Sequence, residues 1–432
     1  MALDEIIAAQ KRGEVRGITS ICSANPWVLK TAMLQAAKTN TPVLIESTCN
    51  QVNQFGGYTG MTPADFVAYL CRLGRENGLR EDQILPGGDH LGPNVWQNEP
   101  AESAMEKSAQ MVRAYIQAGY TKIHLDASMK LGDDDPAGPL DVELAAKRTG
   151  FLARVAEETR ASLGSKAPLY VIGTEVPIPG GARSFETGVA VTLVEDVRRT
   201  IEVTRAAFRK EGLESAWERV AAVVVQPGVE FGDDFVLEYR PEKAVELSGF
   251  IESMPGLVYE AHSTDYQSRE ILRSLVRDHF AILKVGPGLT FALREAIFAL
   301  AMMEKELFPA SSRSNLITVL DKVMLRDPRH WQKYFHGSRR EQAFKRKFSL
   351  SDRSRYYWPD EQVQAALAKL LSNMGQASLP YPLLSQFAPQ FSERIRQGEI
   401  ENKPEALLRA WVEAVLEDYE FACSPGTHPS VE

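Results

Sequence analysis

Eight short apolar runs of strand length, separated by stretches with helical patterning, constrain this chain more than any other feature. They read GITSICS (17–23), PVLIES (42–47), QILPGGD (83–89), KIHLDAS (122–128), YVIGTE (170–175), AVVVQPG (222–228), LVYEAH (257–262) and AILKVGP (281–287). Strand alternating with helix predicts a parallel sheet, and eight such units are what a closed (β/α)8 TIM barrel requires. A doubly wound open sheet is the competing α/β arrangement. Each run is apolar on entry and polar on exit, at Ser23, Glu46, Asp89, Asp126, Glu175, Gln226, His262 and Lys284. Because such barrels carry their active sites at the C-terminal strand ends, this row of polar exits marks the place to look for chemistry. After about residue 310 no strand-like run survives, although helical patterning continues in ITVLDKVML, DEQVQAALAKLLSNM and PEALLRAWVEAVLEDYEF. The expected organisation is a barrel over 1–310 and a helical extension over 311–432, broken by a PYP turn at 380–382.

Bulk properties narrow the function classes. A chain of 432 residues accommodates one large barrel with an appendage. A net charge of -8 argues against a general nucleic-acid binder, and the eleven basic residues against three acidic ones in 322–355 read as a solvated face or a subunit contact. Four cysteines without a C-x-x-C pair fit a reducing compartment. Asp4 and Glu5 stand where a signal peptide needs basic residues, and the most apolar stretch is interrupted by Arg294, Glu295 and Glu304. The expectation is a cytoplasmic protein with neither membrane nor nucleic-acid partners.

The densest chemical signal is GGDHLGPN (87–94), which sets a carboxylate beside an imidazole at a strand exit, behind a glycine pair that lets backbone approach a ligand. His262, at the exit of the seventh run, can converge with His90 across a barrel mouth, and Glu175 can add an oxygen ligand. Two imidazoles with carboxylates suit a divalent metal, Zn²⁺ or Mn²⁺, with Asp89 as the acid/base. In VGPGLTFALRE (285–295), Gly286 and Gly288 lead from a strand straight into a helix, so backbone N–H groups and the helix dipole can bind a phosphate, completed by Ser263 and Thr264. Asp126 is expected to face substrate or support the metal ligands, whereas His124 reads as a satisfied barrel residue. SDRSRYYWP (351–359) is expected to fold over the barrel mouth or into a neighbouring subunit, with Arg353 or Arg355 meeting a phosphate. Neither a Walker A loop nor a Rossmann fingerprint occurs in the chain, so no nucleotide cofactor is expected.

These segments resemble class II, metal-dependent ketose-bisphosphate aldolases. SANPWVLKTAMLQAAKTNTPVLIEST is similar to their first strand–helix–strand unit, which makes Asn25 a substrate contact; GGDH resembles their Asp-His pair, and KVGPGLT lies where they bind phosphate. More closely, GDHLGPNVWQ, IHLDAS, GTEVPIPGGA, VVVQPGVEFG, YEAHSTDYQ, ILKVGPGLTFALREAIFAL and SDRSRYYWP resemble the Z-subunit family of tagatose-1,6-bisphosphate aldolase, the GatZ/KbaZ type. That resemblance implies a role in ketohexose phosphate catabolism, in one of three forms. Members have been treated as a non-catalytic partner that stabilises an aldolase subunit, some carry the label tagatose 6-phosphate kinase, and others look like free-standing 4-epimerases. The expectation is a metal-dependent epimerase of ketohexose 6-phosphates working by retro-aldol cleavage, as a homo-oligomer or beside an aldolase catalytic subunit. The chain departs from the class II aldolase pattern at Gln226, where the resemblance calls for a metal-binding histidine at the exit of strand six.

Overall fold

The computed structural model describes residues 3–173 and 189–425. Eight parallel strands close into one barrel: β1 (Ile18–Ile21), β2 (Val43–Thr48), β3 (Ile84–Leu91), β4 (Lys122–Leu125), β5 (Leu169–Ile172), β6 (Val220–Val224), β7 (Val258–Ala261) and β8 (Phe280–Val285). Their order around the barrel is the order in the chain, with β8 returning to pair beside β1, Ile18 opposite Ile282. The open doubly wound sheet is thereby excluded.

Local sequence explains where the helices begin. Asn25 caps Pro26–Thr39 by accepting from the Trp27 N–H at 3.0 Å, and Thr62 with Asp65 forms a reciprocal capping box at the start of Pro63–Glu76. Pro26 and Pro63 stand at first helical positions, where no donor is lost. The amino-terminal helix Leu3–Lys11 closes the N-terminal end of the barrel, where Leu3, Ile6 and Ile7 pack with Ile18, Leu44 and Val258.

After the barrel strands, helices Leu316–Arg326, Arg339–Phe348, Glu361–Met374 and Pro404–Cys423 continue the chain. The last of these lies along the barrel's own helices Pro26–Thr39, Arg269–Arg277 and Pro287–Leu307, and the Gly17 N–H donates to the Cys423 carbonyl at 3.0 Å. Part of the basic 322–355 stretch forms ion pairs within the chain, including Arg326–Asp360, Lys345–Asp233 and Arg346–Asp321. Among the described residues, no helix is long and apolar enough to cross a membrane.

Two sequence readings need correction here. Glu46 and Lys284 are barrel-interior residues, fully or nearly fully buried, rather than polar strand exits. The glycine pair serves packing: a Cβ on Gly87 would lie 2.6 Å from Glu46 Cγ, and one on Gly88 2.7 Å from Leu91 Cδ1. Gly87 must be small because the interior side chain of Glu46 lies against it, and Gly88 because Leu91 and Tyr115 do.

Candidate active site

Strands β2, β4, β7 and β8 send Glu46, Lys122, Glu260 and Lys284 into the barrel, where apolar side chains usually fill the layers. Buried charges persist only when paired. Lys122 contacts Glu46 and reaches Glu260 at 2.5 Å, while Lys284 lies 2.7 Å from Glu46 and 2.8 Å from Asp89. The ionic layer is the floor of the site.

Above this floor, Asp89, His90, His124 and His262 form a buried cluster, each at most 5 % exposed. Period two explains why His124 sits above Lys122 and His262 above Glu260 on one face of their strands. Asp89 and His90 break that rule, since adjacent residues of a regular strand face opposite ways. The β3–β4 register shifts between Gly88 and Leu91, and His90 takes a left-handed φ of 50°. This bulge turns both side chains toward the barrel mouth. A left-handed non-glycine residue costs on the order of 1–3 kcal/mol, so surrounding contacts must hold it in place.

The three imidazole rings form a near-regular triangle, with centroids 5.0, 5.2 and 5.5 Å apart. Each ring has one nitrogen on a carboxylate at 2.9 Å: His90 Nδ1 on Asp126, His124 Nδ1 on Asp89, and His262 Nε2 on Glu260. A carboxylate partner fixes the proton on that nitrogen and leaves the other lone pair free, as metal-binding histidines require. Burial pushes His262 down to about 3, so its ring is neutral. Burial also works to raise the Asp89 carboxyl, but His90, Lys284 and His124 outweigh it and hold Asp89 well below the usual carboxylate range. His124 Nε2 is buried with no hydrogen-bond partner. An orphaned, buried nitrogen facing two further imidazoles fits a divalent cation.

Over residues 3–424 the chain matches the family described as D-tagatose-1,6-bisphosphate aldolase subunit GatZ/KbaZ-like. The chain belongs to that family. It is 51% identical over 425 residues to the D-tagatose-1,6-bisphosphate aldolase subunit GatZ of Klebsiella pneumoniae subsp. pneumoniae, covering 98% of this chain and 100% of that one. The protein of the same name from Salmonella paratyphi B is 51% identical over 424 residues, covering 98% and 99%. A crystal structure of a probable tagatose 6 phosphate kinase from Sinorhizobium meliloti 1021 superposes with a TM-score of 0.87 at 47% identity, covering 94% of this chain and 100% of that one.

Within this GatZ/KbaZ-like chain the expected residues separate into three groups. Asp89, His90 and His262 converge, and Asp126 stands directly behind His90 while accepting from Ser128. Glu175 lies outside the described residues. Gln226 folds back on its own turn, accepting from the Gly228 and Val229 N–H groups at 2.8 and 3.0 Å. His124 takes part in the cluster instead, which corrects its reading as a satisfied barrel residue. The available signal was its spacing, two residues from both Lys122 and Asp126 on one strand face.

The cleft over the cluster is lined by Cys22, Gln51, Tyr58, Ser263, Asp265 and Arg355 among others. Asn25 lines an adjoining cavity that shares Tyr58 and Arg355 with it. The 351–359 segment folds over the mouth, with Tyr356 edge-on to Tyr58, while Arg353 is buried against Tyr334. Four residues expected around phosphate have internal partners. Gly286 and Gly288 N–H donate to Asp265 at 2.9 and 2.7 Å, Ser263 bonds Glu230, and Thr264 donates to the Lys284 carbonyl at 2.7 Å.

Proposed function

We propose that this chain is a metal-dependent 4-epimerase of ketohexose 6-phosphates, interconverting tagatose 6-phosphate and fructose 6-phosphate by retro-aldol cleavage in carbohydrate catabolism. The observation that carries the reading is the triangle of three carboxylate-anchored imidazoles beside Asp89. His90, His124 and His262 would hold the cation; a nitrogen-rich set favours Zn²⁺, with Mn²⁺ as the alternative. The bound cation would supply Lewis-acid polarisation of the C2 carbonyl.

The remaining chemistry belongs to the chain. Asp89, ionised and oriented by Lys284 and His124, accepts the proton of the C4 hydroxyl as the C3–C4 bond breaks. The bonding pair passes to C3, giving the enediolate of dihydroxyacetone, and C4 becomes the aldehyde of glyceraldehyde 3-phosphate. Rotation of the aldehyde and re-addition through its other face returns the proton from Asp89 to the oxygen on C4 and inverts that centre. The cleft under Tyr58 and Tyr356 would keep the fragments together. Arg355, at the mouth, supplies positive charge for the phosphate.

Purified with Zn²⁺ or Mn²⁺, the chain should interconvert the two ketose phosphates without ATP, and Asp89→Asn should abolish turnover while leaving the metal bound. Absence of turnover with every divalent metal would refute the reading. The relatives' name supports a second role, as a subunit that stabilises an aldolase. Co-purification with an aldolase whose activity depends on this chain would establish that role; a stable homo-oligomer that needs no other chain would count against it.

A further inference from the structure

The glycine turn that opens Pro287–Leu307 has the form of an anion site, with backbone N–H groups and a 21-residue helix dipole behind them. Its demand for negative charge is met from within. Both the Gly286 and the Gly288 N–H converge on one atom, Asp265 Oδ1, and the Asp265 side chain lies on the cleft wall with only 3 % exposure. The fit leaves little room, because a Cβ on Gly288 would stand 3.1 Å from that oxygen. Beside it, Glu230 holds Ser263, whose φ is 55°, and the Thr264 hydroxyl is shared between the Lys284 carbonyl and Tyr419. A phosphate dianion arriving here would meet the Asp265 carboxylate, and to reach the N–H groups it would have to expel Asp265 and leave it buried without its donors.

Resting on the reading of the substrate as a ketose phosphate, we propose that Asp265 is a specificity-determining residue. It occupies the second phosphate position, so the cleft accepts a ketohexose carrying one phosphate and rejects the 1,6-bisphosphate. The single phosphate then goes to Arg355, which lines the same cleft and donates to the Asp352 carbonyl at 3.1 Å and to Tyr356 at 2.9 Å. The chemistry is unchanged, but only one end of the sugar can carry a phosphate, because the glycine turn that could hold a second one is filled by the protein's own carboxylate.

Titration calorimetry of the full chain with ketohexose 6-phosphates and 1,6-bisphosphates tests this, using the wild type, Asp265→Asn and Asp265→Ala. The wild type should bind the 6-phosphate at least about tenfold more tightly than the bisphosphate, because like charges across a binding site disfavour the wrong partner. Asp265→Ala should gain about tenfold or more for the bisphosphate, and Asp265→Asn, which keeps the cap and removes only the charge, should gain less. A wild type that prefers the bisphosphate overturns the proposal, as does a folded Asp265→Ala chain with no gain. Should that variant fail to fold, the wild-type preference and the Asp265→Asn shift decide alone. Intact selectivity without turnover would sink the epimerase reading and spare this one; failure to bind either sugar sinks both.

Discussion

Asp89 Oδ1 lies 2.9 Å from His124 Nδ1, and the other nitrogen of that ring is buried with no partner. One carboxylate therefore has two jobs under the proposed function: it would serve as the base, and it sets the tautomer of an imidazole. The pairing makes His124 the third corner of the site, in place of the histidine that the aldolase resemblance expected at Gln226. Replacing it, His124→Ala, should reduce Zn²⁺ affinity by at least about 100-fold, more than the loss of an outer partner. Equilibrium dialysis or colorimetric competition reads this directly; unchanged affinity would remove His124 from the metal site.

Asp126 acts one step further out. It anchors His90 Nδ1 at 2.9 Å and is itself held by Ser128 Oγ at 2.6 Å. Asp126→Asn keeps the shape but weakens the orientation of the ring, and should cost about 10–100-fold in metal affinity without unfolding the chain. The same assay, with a melting curve as control, checks it.

The ionic floor predicts a stability effect separable from chemistry. Lys122 is 1 % exposed and bridges Glu46 to Glu260. Lys122→Met leaves two buried carboxylates short of a cation and should cost about 3–5 kcal/mol in denaturant unfolding. A change below about 1 kcal/mol, the range of exposed pairs, would show that Lys284 alone neutralises the layer.

Glu230 gives a pH signature. Burial pushes its carboxyl up from 4.5 to about 7. The folded chain thus binds more protons than the unfolded chain between these values, so this group's contribution makes stability fall as pH rises from 4.5 through about 7. Above that window the penalty levels off, at a magnitude on the order of 3 kcal/mol. Glu230→Gln, which cannot ionise, should melt higher than the wild type at pH 8 and close to it at pH 5. Equal differences at both pH values would contradict the assignment.

The sequence made the barrel legible because its eight apolar runs have strand length and lie between helices with caps that can be read locally, such as Asn25 and Thr62. It also marked Asp89, His90 and His262, since ionisable groups at strand exits are conspicuous. Three features stayed hidden for physical reasons. His124 lies one step below an exit, where a strand pattern gives no sign of whether a side chain is satisfied by neighbours from other strands. Glu46 looked like an exit residue, although its place in the interior depends on two lysines 76 and 238 positions away. The glycine turn at 286–288 read as an open anion site because the carboxylate that fills it arrives from a different loop.

Retro-aldol epimerisation leaves the hydrogen on C4 attached to its carbon, because the broken bond is C3–C4, whereas inversion by removal of that hydrogen as a proton loses it to solvent. The deciding measurement is incubation of the Zn²⁺-loaded chain with tagatose 6-phosphate deuterated at C4, followed by NMR of the fructose 6-phosphate formed. The account predicts product that retains the deuterium in full, and none from Asp89→Asn. Exchange of that deuterium with solvent, or no product from the metal-loaded wild type, would contradict it.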